Sequence, residues 1–194
     1  MEPVVSLKSD YGIEFVIVEA VESELELILQ RRFSNKTPIF RKAMKTHTLA
    51  VLNSDFLERH GYPSTPVMNE INRLGREYSV RIHPGEAYTH AAANILSMPS
   101  LSQDVEALWK LRDAGIYIQQ TILRAFDIII FGLQIGRLTQ DDCERARRDL
   151  YKNGQKLLRC FANCSVRDGL SGFYARLLDG AYPEIGASVP LDPF

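Results

Sequence analysis

The stretch Gly85-Glu86-Ala87-Tyr88-Thr89-His90-Ala91, followed by Leu101-Ser102-Gln103-Asp104 and then Gly115-Ile116-Tyr117-Ile118, decides how this chain reads. It alternates a helix, a short strand ending in an acid, a second helix and another short strand. Such alternation favours an α/β fold with a mainly parallel sheet flanked by helices. In open sheets of this kind, sites form outside the carboxyl ends of the strands. Glu86 and Asp104 thereby fall where consecutive element ends converge. Carboxylates gathered at one sheet edge are a way to hold a hard divalent cation.

Outward from that stretch the same alternation continues. Phe15-Val16-Ile17-Val18 is a β-branched run suited to a buried strand, and Val21, Leu25, Ile28 and Leu29 then recur at helical spacing. The helix carries Glu19, Glu22, Glu24 and Glu26 and is predicted to stop near Arg32, before Ser34-Asn35, Thr37 and Pro38. His47 to Leu52 reads as a strand, Ser54 as the cap of a short helix, and Val67 to Leu74 as a helix stopped by Gly75. Ser79-Val80-Arg81-Ile82 is predicted as a strand leading into Pro84-Gly85. Ile122 to Leu133 and Thr139 to Asn153 read as helices, the second opened by Thr139 with Asp142 three residues on. The tail from Gly180, with its three prolines, has little periodicity.

Composition bounds the answer. With 194 residues, 45% hydrophobic and 24% charged, the chain has enough apolar material for a substantial core. A formal charge of −1 gives no global pull toward nucleic acid, so such binding must come from a local patch. The odd, sparse set Cys143, Cys160 and Cys164 suits reduced, buried thiols better than a disulfide framework. No secretory leader is evident at the start, and no apolar run approaches the ~20 residues that span a bilayer. A cytoplasmic protein with no membrane partner is the expectation.

These residues resemble PIN-like domains, the metal-dependent ribonuclease fold found in many toxin components. The family's second acidic position lies in a valine, two residues, glutamate pattern on the helix after the second strand, matched by Val21-Glu22-Ser23-Glu24. Its third, an acid and an alanine opening a helix, is matched by Glu86-Ala87. Its fourth closes the short strand before a helix, matched by Leu101-Ser102-Gln103-Asp104. Leu111-Arg112-Asp113-Ala114-Gly115-Ile116 and Gly136-Arg137-Leu138-Thr139 look like the family's closing half. The resemblance covers roughly residues 1–155, leaving 156–194 as a helical extension and irregular tail.

The resemblance implies a three-layer fold with a helical C-terminal part and a metal-dependent endoribonuclease of the toxin type. Glu24, Glu86 and Asp104 would be its Mg2+ or Mn2+ ligands and catalytic carboxylates. Both ions prefer oxygen ligands, lower the pKa of a bound water and neutralise charge on a phosphate under attack. One carboxylate would also orient the attacking water. Toxin relatives commonly pair with an antitoxin-like protein and form homodimers, and those partners are implied with RNA.

The chain departs from the family at its start. Relatives open with a strand ending in aspartate and then a helix, but only fourteen residues precede Phe15. A parallel crossover takes about 10–12 residues. Asp10 therefore does not fit as that aspartate, and residues from Glu2 to Asp10 read better as the first helix. The domain is expected to be N-terminally incomplete and its activity low or lost. The alternative function is a non-catalytic PIN-like module that binds RNA or a protein partner.

A substrate path needs cations near the acids. Arg31, Arg32, Lys36, Arg41, Lys42 and Lys45 fall in a stretch free of Asp and Glu and are the expected RNA contacts. Arg145, Arg148 and Lys152 form a second series at helical spacing, extended by Lys156 and Arg159 if the helix continues. Each candidate also has an ordinary explanation. A solvated face accounts for either basic series, dipole stabilisation for Glu86, an N-cap for Asp104 and surface solvation for Glu24, where Glu22 competes as the inward acid. His83, Glu86 and His90 form a weaker zinc constellation.

Overall fold

A computed structural model describes residues 14–46, 48–120, 122–154, 157, 161 and 164–170. The possible helix before Gly12, Cys160, Lys156, Arg159 and the tail from Gly180 lie outside the described residues. The architecture is mainly helical, with strands in parallel pairs. Contacts divide the chain into two units, Met1–Leu96 and Ser97–Phe194, a division that falls inside the 1–155 segment expected as one domain.

In the first unit, β1 (Phe15–Val18) runs directly into α1 (Glu19–Arg32). A single 3-10 turn (Ser34–Lys36) links α1 to α2 (Thr37–Lys45). The chain then returns as β2 (Leu49–Leu52), which pairs in parallel with β1 from Phe15↔Leu49 to Val18↔Leu52. Parallel pairing needs a crossover, and α1, the turn and α2 provide it. Next comes α3 (Ser54–Arg59), whose N-cap is Asn53 rather than Ser54: Asn53 Oδ1 accepts from Phe56 N at 2.9 Å. Phe56 and Leu57 then anchor α3 in the core.

Two long helices complete the unit, α4 (Ser64–Ser79) and α5 (Pro84–Leu96). The strand expected at 79–82 is absent. Ser79 still belongs to α4, and the N–H groups of Arg81 and Ile82 both donate back to Tyr78 O, at 2.9 and 3.1 Å. Those local bonds close a turn in which Ile82 is buried and Val80 projects into solvent. The apolar spacing there marks one anchored turn residue, which strand periodicity mimics over four positions.

Small residues on α5 allow close packing. Gly85, Ala87, Ala91, Ala92 and Ala93 are all buried, and so are His90 and Leu96. On the facing helix, Gly75 does not stop α4; it sits inside it and receives the ring of Tyr88. A Cβ built on Gly75 would lie 2.6, 2.7 and 2.8 Å from Tyr88 Cδ1, Cε1 and Cγ. His90 is fully enclosed, and burial holds its imidazole pKa down to about 4.

The second unit repeats the parallel crossover on a smaller scale. β3 (Ser100–Leu101) and β4 (Ile122–Leu123) pair in parallel around α6 (Val105–Asp113), and Ser102 N extends the ladder to Leu123 O at 3.0 Å. The strand expected at 115–118 is instead the exit from α6. Gly115 takes φ +76°, and its N–H and that of Ile116 donate to Arg112 O and Leu111 O at 2.8 and 2.9 Å, which closes the helix. Ile118 is buried as a loop residue. The helix expected from Ile122 begins only at α7 (Ala125–Gln134), because Arg124 N donates to Asp127 Oδ2 at 2.7 Å and fixes the start there. α8 (Gln140–Lys152) opens as expected, with Thr139 N donating to Asp142 Oδ2 at 2.9 Å and Asp142 N returning to Thr139 Oγ1 at 3.2 Å.

Phe126, Ile130, Cys143, Leu157, Phe161 and Val166 form one core, with Phe126 and Phe161 edge to face at 4.9 Å. Leu157, Phe161 and Val166 are thus core material of this unit. Cys143 is enclosed, and burial followed by the nearby Asp142 pushes its thiol pKa up to about 11, as expected of an inert structural cysteine.

Two predictions follow from the helix hairpin. Gly75→Ala gains about 1 kcal/mol of helix propensity but forces the Tyr88 ring aside, so a net loss of about 1–2 kcal/mol is expected in urea denaturation. Pairing it with Tyr88→Ala removes the clash, so the two changes combine non-additively. The second concerns pH. His90 binds its proton near pH 4 when folded but near 6.5 when unfolded, so stability is complete above 6.5 and falls as pH drops through that window. A loss approaching about 3 kcal/mol by pH 4 is expected from this group, and His90→Gln flattens that part of a stability-versus-pH curve.

Candidate functional site

Strand β1 places Glu24 by delivering the chain straight into α1, so this glutamate lies in the second turn. Its side chain is partly exposed and reaches the start of α5. Glu24 Oε1 lies 3.1 Å from His83 Nδ1, and its two carboxylate oxygens lie 2.8 and 2.9 Å from where a Gly85 Cβ would stand. The carboxylate therefore rests on the first turn of α5, where the helix dipole favours negative charge. Glu86, the next residue, is half-buried in that turn. Two of the three expected acids, Glu24 and Glu86, thus belong to one local region of the first unit.

Glu22, the competing acid, belongs to a different ridge. Burial first, then repulsion from Glu26 and Glu19, raises its carboxyl pKa. Asp104 lies in the second unit as the N-cap of α6: its Oδ1 accepts from Ala107 N at 3.1 Å, and its own N–H donates to Ser102 Oγ at 3.2 Å. Among the described residues, no three His, Cys, Asp or Glu side chains are gathered closely enough to hold a metal ion. Glu24 and Glu86 belong to the first unit and Asp104 to the second, and no chemical step is derived through a metal. The zinc constellation is likewise dispersed, with His90 enclosed in the core and His83 exposed beside Glu24.

The cationic segment is more definite. Arg31 and Arg32 end α1, Lys36 closes the 3-10 turn, and Arg41, Lys42 and Lys45 lie on α2. All six are exposed. None forms an ion pair among the described residues. Ala43 faces the core, so its buried side leaves Arg41, Lys42 and Lys45 on the outer face of a short helix. Glu24 and Arg31, seven residues apart, share a face of α1 about 10 Å apart along its axis. The second basic series is differently occupied. Arg145 pairs with Asp142, and Arg148 donates to Glu144 O at 3.4 Å.

Sequence reasoning overlooked three features. One is the seat of Glu24 on Gly85, for which the only sequence signal is a glycine in the first turn of a helix. Another is the Glu144–Arg147 pair: Glu144 Oε2 accepts from Val166 N at 3.0 Å, and Arg147 Nη1 donates to Phe161 O at 3.3 Å. It ties α8 to the backbone of Phe161 and Val166, and the i,i+3 spacing of the two charges is its signal. The third is a group of half-exposed apolar side chains, Leu27 and Ile28 just before the six cations and Phe33 and Ile39 among them.

In comparisons with protein-family models, curated proteins and solved structures, nothing matches this chain.

Proposed function

We propose that this protein is a PIN-like module that binds RNA through the cationic surface of α1, the 3-10 turn and α2. The observation that carries this reading is the set of six exposed cations, Arg31, Arg32, Lys36, Arg41, Lys42 and Lys45, with no ion-pair partner among the described residues. Cations already paired within a protein contribute little to a phosphate ligand, whereas unpaired ones release counterions from the nucleic acid backbone. Phe33 between the two groups of cations adds an aromatic face on which a base can stack. The PIN-like element rests on the motif order, supported by the parallel crossovers in both units.

The second reading is a metal-dependent endoribonuclease of the toxin type, with Glu24, Glu86 and Asp104 as its carboxylates, an antitoxin-like partner and a homodimeric assembly. Glu24 beside the first turn of α5, on the same helix face as Arg31, favours it. The cap role of Asp104 favours the binding module instead.

Two experiments decide between them. Titration of a fluorescein-labelled single-stranded RNA with the parent and with Arg41→Ala/Lys42→Ala/Lys45→Ala should show affinity falling by at least about tenfold, and the slope of log K against log salt shrinking by about 2. Unchanged affinity contradicts the assigned surface. For catalysis, the parent and Asp104→Asn are compared on structured RNA in manganese. Asparagine caps a helix about as well as aspartate, so a selective loss of cleavage identifies a ligand or catalytic role separate from the cap. No cleavage in either leaves the binding module as the function.

A further inference from the structure

We propose that the α1–α2 surface is also a peripheral docking face for anionic lipid bilayers. Four of the nine large apolar side chains exposed among the described residues fall within positions 27–39: Leu27, Ile28, Phe33 and Ile39, at 47, 45, 51 and 44% exposure. Phosphate binding has no use for three aliphatic tips held in water. An interfacial helix pair does, because apolar tips sink to the acyl boundary while flanking cations meet anionic headgroups.

Charge is segregated to match. From residue 27 to residue 54 there is no Asp or Glu, and with six cations there and −1 overall, the remainder of the chain carries −7. A molecule so divided is drawn to an anionic plane by this surface and repelled by the rest. The exposure is shared almost evenly over four side chains, two on α1, one at the junction between α1 and the 3-10 turn, and one on α2. A shallow interface suits that even exposure, whereas a protein partner typically seats one or two anchors deeply in a pocket. No helix among the described residues is long and apolar enough to cross a membrane, so the contact is adhesion at the surface.

RNA and lipid headgroups share phosphate chemistry, and the apolar tips separate them. The test is co-sedimentation of the full chain with vesicles of phosphatidylcholine containing about 30% phosphatidylserine, beside pure phosphatidylcholine vesicles. Binding to the anionic vesicles, with little to the neutral ones, is expected. Removing one cation, as in Lys42→Ala, should weaken it about fivefold. Leu27→Ser/Ile28→Ser should weaken vesicle binding at least about tenfold while leaving affinity for single-stranded RNA within about twofold. These positions are half-exposed, and circular dichroism confirms that the variant is folded. Absence of vesicle binding overturns the proposal, as does undiminished binding by the apolar variant. RNA affinity falling in parallel with the Leu27/Ile28 change would assign the apolar tips to the RNA surface instead.

Discussion

The first unit depends on how closely α5 can approach α4. A helix whose buried side is made of glycine and alanine lets the facing backbone come near, and Gly75 on α4 accepts the face of Tyr88. That contact leaves no room for a further carbon. It also fixes where α5 begins, and so where Gly85 and Glu86 stand relative to the Glu24 carboxylate on α1. Packing at the hairpin and electrostatics at the helix start are therefore one arrangement. His90 completes it by keeping an imidazole neutral inside the same helix, which trades acid tolerance for a filled core.

The crossover of β1 and β2 uses its two helices asymmetrically. The first half of α1 bears acids, one of them resting on the start of α5, while its second half, the 3-10 turn and α2 bear cations that form no ion pair among the described residues. The acids and the cations are thus placed in sequence along one helix and its continuation. Arg31 stands near the C-terminal end of α1, and Glu24 lies two turns back along the same face. In the second unit, by contrast, charges are consumed locally: Asp142 in a cap and with Arg145, Glu144 with Arg147 and the backbone of Val166.

Elements whose determinants are local were legible in the sequence. The β-branched run at 15–18 passes into a helix as the periodicity indicates, and Thr139 with Asp142 opens α8. The misread segments at 79–82 and 115–118 share a cause. Each is a turn closed by hydrogen bonds to the preceding helix, to Tyr78 O in one case and to Leu111 O and Arg112 O in the other, with one buried apolar residue, Ile82 or Ile118. Periodicity over four positions does not separate such a turn from a strand. The acids were legible as positions and not as partners. Asp104 satisfies a backbone N–H three residues away, while Glu24 reaches a glycine about sixty positions on, which only the tertiary fold brings near. The exposed cations needed little tertiary information, because a stretch without acids offers them no local partner.

The most direct test of the cationic surface is photo-cross-linking of a short single-stranded RNA containing 4-thiouridine, in EDTA, followed by mass spectrometry of the modified peptides. The account predicts adducts concentrated in peptides spanning residues 31–45, with Phe33 the favoured stacking position. Adducts confined to α8, or spread without preference over the chain, would contradict it.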